Sequence, residues 1–425
     1  MKVASLKTNT ITVTCPACGL LCDDIVLENN KVANTNCPKA TAFFERPLAD
    51  ATPQINGKSA TLQQAISRAA KLIKASQQPL FAGLSTDVQG FRVIHNLAQK
   101  TNGSLQHINA QSTARDMKVL QSTGWQTTTL TEVKNRADVI VCFGTDVVTH
   151  HPRFFERFVN VDGMFVKAKQ REVIFIGENL DAKAGISPTA TPSSLLACRA
   201  VDLPEITLAL RALVAHKKLK ATEVSGVKVS DLQALADKLK TAKYAVLAWV
   251  AKDLDFPHAE LTIQNITETV AILNNTTRAA GLPLGGSDGD TSANNANTWL
   301  SGLALKDEVA EHDLMVWVNS FNGDKEPLKS NKPQIVLANT PFVGAAARRD
   351  VSLNNSEGLS RRVAAPTEMR YAKTPDVFIP IATPGLDCSG TLFRVDSAVI
   401  LPLRKIRENT LPTLSEIVCG IEALL

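Results

Sequence analysis

The sequence predicts an α/β protein: an N-terminal cysteine segment followed by two interleaved, doubly wound domains with parallel sheets. Three observations carry this. Seven short runs are almost continuously apolar, as strands buried on both faces must be. Amphipathic stretches of helical period lie between them, the alternation that packs helices on both faces of a sheet. The length, 425 residues, exceeds one ordinary core at roughly 150 residues per domain.

The elements follow in order. A helix over Thr61–Ser76 leads into a strand at Pro79–Leu84, and a helix over Thr86–Lys100 follows. Strands at Ala137–Phe143 and Glu172–Ile176 come next, then helices at Pro204–His216 and Ser230–Lys240. A strand at Tyr244–Val250 precedes a helix at Ala259–Leu273. Asp313–Val318, Gln334–Ala338 and Asp376–Ile381 complete the strands. Three strand ends, PLFAGLSTD, DVIVCFGTD and VIFIGEN, run into Gly or Ser and then an acidic or amide residue. Ligands of open parallel sheets bind at such turns, although any parallel sheet needs small residues there.

Composition excludes several classes. The chain is 44% hydrophobic and 20% charged, which is globular. Its apolar runs reach about eight residues, as at Tyr244–Ala251, where a membrane span needs about twenty. Met1–Thr14 shows no apolar export segment, so a cytoplasmic location is expected. The net charge of +5 is spread along the chain, and no nucleic-acid partner is expected. No G-x-S-x-G elbow, H-E-x-x-H helix or Walker lysine loop occurs. His150-His151 invites a metal reading, but adjacent residues on a helix face different ways. A positioning role at a turn fits the pair better, and Asp23-Asp24 reads as a cap or a partner contact.

Pro341–Lys373 lacks strand periodicity and reads as a long surface insertion. It carries Arg348, Arg349, Arg361, Arg362, Arg370 and Lys373 against Asp350, Glu357 and Glu368. Long loops of this kind are functional or simply solvated.

Four of the eight cysteines fall together: Cys15, Cys18, Cys22 and Cys37 form C-x2-C-x3-C-x14-C. Without an export signal a disulfide framework is not expected. Four thiolates can complete the coordination of one 4Fe-4S cluster or hold one tetrahedral zinc. The C-x3-C step, with Gly19 freeing the turn, and Pro38 after the last cysteine fit a cluster better. Zinc, or an unmetallated remnant, remains the alternative. Cys142, Cys198, Cys388 and Cys419 are scattered and read as small buried hydrophobes.

Thr14–Asp24, TCPACGLLCDD, with Cys37, resembles the N-terminus of the B subunit of formylmethanofuran dehydrogenase, in the molybdopterin oxidoreductase superfamily. The resemblance continues at Ala137–Gly144, His151-Pro152-Arg153, Thr277-Arg278, Leu282–Gly285 and Trp299–Gly302. It is strongest over Pro375–Ile406, PDVFIPIATPGLDCSGTLFRVDSAVILPLRKI. It implies a molybdopterin-oxidoreductase-like fold of interleaved domains. The expected division is 1–55 for the cysteine segment, 56–109 with 241–425 for the first α/β domain, and 110–240 for an inserted second one. Pro79–Leu84 and Tyr244–Val250 are then expected in one sheet.

In that family the B subunit carries a tungsten or molybdenum pterin, with a cysteine or selenocysteine on the metal, and one 4Fe-4S cluster. Here the corresponding region, His107–Asp116, contains no cysteine. Ser112 and Thr113 are the nearest candidates, and neutral hydroxyls are far weaker ligands than a thiolate. The family's pterin turn, G-s-N-P before His-Pro, reads Gly144-Thr145-Asp146-Val147 before His151. An ionised Asp146 only accepts hydrogen bonds and would repel a pyrophosphate. The family's Asp-x-Arg is replaced by Gly177-Glu178-Asn179, and its Asp-Pro by Asn319-Ser320-Phe321. No tungsten or molybdenum pterin is therefore expected, and Gly144, Thr145, Asp146 and His151 read as a vestigial turn.

The resemblance is closest to the B subunit of the formyltransferase/hydrolase complex of methylotrophic bacteria, which needs no redox step. It implies a non-catalytic scaffold partnered by the A, C and D subunits in tetrahydromethanopterin-linked one-carbon metabolism. It also implies a glutamate-rich, furan-type carrier, for which Arg348, Arg349, Arg361 and Arg362 are the candidate contacts. The alternatives are an active tungsten or molybdenum redox enzyme and a free-standing binding protein.

Overall fold

The computed structural model describes residues 10–48, 52–186, 192–321, 327, 330–339 and 374–425. The chain forms two compact units, each from discontinuous segments. The first comprises 1–46, 107–308 and 389–404; the second comprises 47–106, 309–388 and 405–425.

The core of the first unit is a five-stranded, all-parallel sheet. Its order is Ser194–Leu196, Glu172–Ile176, Val139–Phe143, Ala245–Trp249, Ala279–Pro283. Val139–Phe143 and Ala245–Trp249 are buried along their whole length. Helices Leu203–Val214, Val229–Thr241 and Glu260–Leu273 cover one face through Ile206, Leu210, Leu232, Leu239 and Ile266. Each such side chain, fully withdrawn from water, contributes about 1.5–3 kcal/mol. Trp249, with no solvent exposure, anchors the end of its strand, and Trp125 packs on it at 6.0 Å between rings.

In the second unit, Gln334–Ala338, Leu314–Asn319 and Pro79–Ser85 lie at the centre of a seven-stranded sheet, beside Val377–Pro380. These four strands run parallel. The short hairpin Gln54–Ile55 and Lys58–Ser59 adds antiparallel to its edge. Thr61 and Gln64 form a reciprocal capping box at the start of helix Leu62–Ala75, and Asp87 caps Val88–Lys100 through the Gly90 amide at 3.0 Å.

All seven expected strands and all five expected helices form. Their grouping differs from expectation in one respect. Ala245–Trp249 pairs with Val139–Phe143, and Pro79–Ser85 pairs with Leu314–Asn319 instead. Residues 241–308 therefore fold with 107–240, and the expected break at 240 does not occur. Strands buried on both faces look alike in sequence, so periodicity locates them without saying which sheet they join. The cysteine segment likewise folds with the first unit, and its boundary is 46 where 55 was expected. Helices Ala110–Ser122, Asp290–Ser301 and Leu414–Glu422, and strands Ser104–His107 and Ala279–Pro283, were not anticipated.

Among the described residues no helix is long and apolar enough to cross a membrane. All eight cysteines are free. Cys142 and Cys198 are buried as expected, Cys388 is half-buried, and Cys419 is exposed. Cys419 thus departs from the buried reading, because Ile417, Val418 and Ile421 take the inner face of its helix. The arginine-rich stretch Pro341–Lys373 lies outside the described residues.

Candidate functional site

The cysteine segment is a hairpin and a helix start brought together. Thr10–Val13 pairs antiparallel with Ile25–Glu28, and the loop between them carries three of the four cysteines. Its closure is a Cys15 amide donating to the Cys22 carbonyl at 2.9 Å and a Leu21 amide donating to Cys18 at 3.2 Å. The residue in the left-handed region is Leu21, at φ 44°, and not Gly19. Gly19 is required for another reason. A Cβ there would stand 2.6 Å from the Gly285 carbonyl oxygen and 2.8 Å from the Gly286 Cα. Cys37 is the N-cap residue of helix Pro38–Phe44, with Pro38 pre-set for the first turn. All four cysteines are buried and line one small closed cavity, with Lys39, Pro152 and Arg153 completing its wall.

Positive charge surrounds these thiols. Arg153 makes a bidentate pair with Asp24, both bonds at 2.8 Å, and donates to Glu156 at 2.7 Å. Arg157 reaches Asp23 at 2.7 Å and also hydrogen-bonds the Cys22 sulfur. Burial pushes the Cys18 thiol up to about 12, with Cys22 beside it adding to the rise. Burial raises Cys22 too, but Arg157 and Arg153 oppose it. Asp24 is pushed up by burial and pulled further down by the Arg153 hydrogen bonds, so it ends below the usual carboxylate range. Asp23-Asp24 is therefore an arginine-holding pair, and the sequence offered no signal for partners 129 and 134 residues away.

A larger cavity of about 480 Å³ lies elsewhere in the first unit. Helix Ala110–Ser122 brings Ser112, Thr113 and Asp116 to its wall. The loop 284–289 supplies Leu284, Gly285 and Gly286, the first residue of helix Asp290–Ser301 supplies Asp290, and the segment after Phe143 supplies His150 and His151. Asp116 accepts from the Trp249 indole at 2.8 Å. Asp290 accepts from the Asn109 amide at 3.1 Å, and the same amide holds Ser287. Burial pushes Asp116 up to about 7, and it raises Asp290 as well. His151 donates through Nε2 to the Leu284 carbonyl at 3.0 Å, and its Nδ1 has no partner. Burial lowers His151 to about 4, so its ring is neutral near pH 7.

Of the expected turn residues only His151 lines this cavity. Gly144 closes the strand end, its amide donating to Ile176 at 2.7 Å. Thr145 donates to Asp253 at 2.8 Å, and Asp253 also pairs with His150 at 2.7 Å. Asp146 is spent as the cap of helix Val147–His150, accepting from Val148 and Thr149. His150 and His151 face different partners, 6.4 Å apart between rings, as adjacent residues should. Arg348, Arg349, Arg361 and Arg362 lie outside the described residues. Asp116 and Asp290 were missed; both precede or sit in helices whose polar faces carried no motif.

The two donor sets differ in what they suit. Four thiols in one closed cavity, with Arg153 and Lys39 on its wall and Arg157 beside Cys22, match the needs of an anionic cluster, whose charge and sulfur hydrogen bonds set its behaviour. Among the described residues no three His, Cys, Asp or Glu side chains form a group that could hold a single metal ion. The larger cavity presents hydroxyls, carboxyls, side-chain amides, His150, His151 and Lys252, and no thiol, among its described lining. The thiol that the resemblance implies on a pterin metal is not among that described lining.

No family model matches the chain. The structure is a mixed α/β fold with parallel sheets, and acetylene hydratase of Pelobacter acetylenicus shares it, superposing with a TM-score of 0.58 at 8% identity, over 97% of this chain and 69% of that one. A chain of the formyltransferase/hydrolase complex of Methylorubrum extorquens, solved with methylofuran, superposes with a TM-score of 0.67 at 21% identity, over 87% of this chain and 98% of that one. Among curated proteins, homologues of the chain are the B subunits of tungsten-containing formylmethanofuran dehydrogenase 2. That of Methanococcus maripaludis is 25% identical over 93% of each chain, and that of Methanocaldococcus jannaschii is 24% identical over the same shares. The B subunit of the M. extorquens formyltransferase/hydrolase complex is 34% identical over 90 residues, 21% of this chain and 25% of that protein.

Proposed function

We propose that this chain is the B subunit of a formyltransferase/hydrolase complex in cytoplasmic, tetrahydromethanopterin-linked one-carbon metabolism. It descends from a formylmethanofuran dehydrogenase subunit, has lost the tungsten or molybdenum ligand, and serves as a scaffold for the A, C and D subunits. The carrying observation is the helix Ala110–Ser122. It brings Ser112 and Thr113, and no thiol, to the wall of the large cavity. Asp146, committed to capping, supports the same reading, since it offers a pyrophosphate no donor.

Cys15, Cys18, Cys22 and Cys37 hold a 4Fe-4S cluster in this reading. When bound, such a cluster supplies one-electron chemistry or a structural cross-link. Arg153 and Arg157 offset the charge of the thiolates, and Asp23 and Asp24 hold those arginines in place. Arg348, Arg349, Arg361 and Arg362 are assigned to a carboxylate-rich carrier tail, because a guanidinium matches a carboxylate with two parallel hydrogen bonds. Elemental analysis of the chain purified with its partner subunits tests the reading. About four iron atoms per chain, with neither tungsten nor molybdenum, is expected. Stoichiometric tungsten or molybdenum overturns it. That outcome would favour the second reading, an active redox subunit, which the names of the two full-length relatives support.

A further inference from the structure

The large cavity is not an inert remnant. Its described walls carry two carboxyls, Asp116 and Asp290, each reached from the cavity, surrounded by protein elsewhere, and without an ion-pair partner among the described residues. The other charged groups there are engaged or at the rim. Asp396 is held by Arg394 at 2.6 Å, His150 by Asp253, and Lys252 is exposed. His151, only 2% exposed, stands on the same wall with an unpartnered ring nitrogen. Its Nε2 hydrogen is committed to Leu284, so the free Nδ1 can only accept. Apolar and aromatic surface from Trp125, Met117, Leu120 and Trp299 alternates on the wall with hydroxyls and side-chain amides such as Thr113, Gln121 and Asn294.

A concave site with a few convergent polar groups on apolar walls is built for a small molecule. Two carboxyls on this wall without a salt bridge among the described residues disfavour an anion. A single metal ion lacks its ligand group among the described residues. We propose that the cavity binds a small organic cation, a protonated amine, whose N–H groups are taken by Asp116 and Asp290 and whose apolar body lies against Trp125 and Met117. Aromatic faces favour a cation further. The raised affinity of Asp116 for protons belongs to the empty cavity, and a bound ammonium replaces that proton. The inference rests on the reading that no metallopterin fills the cavity.

The test uses the full chain in its purified complex and two probes of one shape, benzylamine and benzyl alcohol, by isothermal titration calorimetry at pH 7. Benzylamine binds and the alcohol does not. Asp116→Asn and Asp290→Asn each weaken benzylamine about tenfold or more, the loss of one charge-assisted hydrogen bond. The Asp116→Asn variant keeps a side-chain oxygen for the Trp249 indole, so its fold is preserved, and circular dichroism checks it. Titrations in buffers of different ionisation heat show proton release, as Asp116 ionises against Asp290 and beside Arg115, with His107 and Asp288 facing Asp290. Should Asp290→Asn fail to fold, the amine and alcohol comparison and Asp116→Asn decide. Equal binding of the two probes, or variants that bind like the wild type, overturns the inference. Metal-free protein that ignores benzylamine overturns it alone, whereas stoichiometric tungsten overturns the scaffold reading as well.

Discussion

Gly19→Ala perturbs the cysteine loop directly, at its close approach to the loop 285–286. The added Cβ meets the Gly285 oxygen at 2.6 Å, the Gly286 Cα at 2.8 Å and the Val395 Cβ at 2.9 Å. Two of these are backbone atoms and cannot rotate away, so the loops must separate. Overpacking of this kind costs about 1–3 kcal/mol. The Val395 amide also donates to the Gly19 carbonyl at 2.9 Å, and straining that bond adds about 1 kcal/mol. The sum, about 2–4 kcal/mol, is a large share of the stability of one unit. Urea unfolding followed by tryptophan fluorescence reads it, because Trp125, Trp249 and Trp299 all belong to the first unit. Gly124→Ala is the control. Its φ of +69° strains any side chain, but nothing lies within 4 Å, so about 1 kcal/mol is expected. If Gly19→Ala stays within about 0.5 kcal/mol of wild type, as an ordinary surface change would, the close approach does not constrain this loop.

Asp116→Asn should stabilise the protein relative to wild type at pH 8 and be near neutral at pH 4, by thermal melting across pH. The sign follows from linkage. An acid raised to about 7 in the folded state, from about 3.9 unfolded, stabilises fully below pH 4 and loses that contribution as pH rises to 7, by about 2–4 kcal/mol. Arg153→Gln should leave Asp24 and Glu156 without their shared partner and cost about 2–4 kcal/mol, read by the same urea titration. Asp24, held below the usual range, stabilises above about pH 4 and loses this as pH falls, so the Arg153→Gln deficit should shrink in acid. Cys22→Ser should lower the iron content of the purified complex, measured by elemental analysis, while Cys419→Ser, on an exposed helix face, should not change it.

What the sequence disclosed follows from physics that acts locally. Buried parallel strands announce themselves by continuous apolar runs, and Val139–Phe143 and Glu172–Ile176 were found at their positions. Sheet membership is a long-range property, and Tyr244–Val250 joined a sheet that its own residues do not specify. Helix Ala110–Ser122 was hidden because only Ala110, Ala114 and Val119 face inward, leaving a weak periodic signal. The convergence of the four cysteines on one cavity was legible from their spacing. Asp116 and Asp290 were not, because a single carboxylate on a polar helix face reads as solvated until the fold encloses it. Asp146 illustrates the converse: its role as a cap of helix Val147–His150 is local, although its place in a strand-end turn matches a cofactor motif.

The cysteine segment and the large cavity share backbone. Residues 150–153 are the first joint: His150 and His151 line the large cavity, while Pro152 and Arg153 line the cysteine cavity. Lys39, on the cysteine wall, donates to the His150 carbonyl at 2.9 Å. The second joint is Gly19 against Gly285 and Gly286, which themselves line the large cavity. Neither joint has slack, one being a contact between backbones and the other four consecutive residues. A chain that has shed its pterin chemistry would then still need its cysteines, because whatever fixes the four thiols also fixes one wall of the cavity. On the scaffold reading proposed above, the cluster persists as a cross-link between the hairpin 10–28 and the helix at Cys37. Losing it should loosen Gly286 and His151 before it disturbs the sheet behind them.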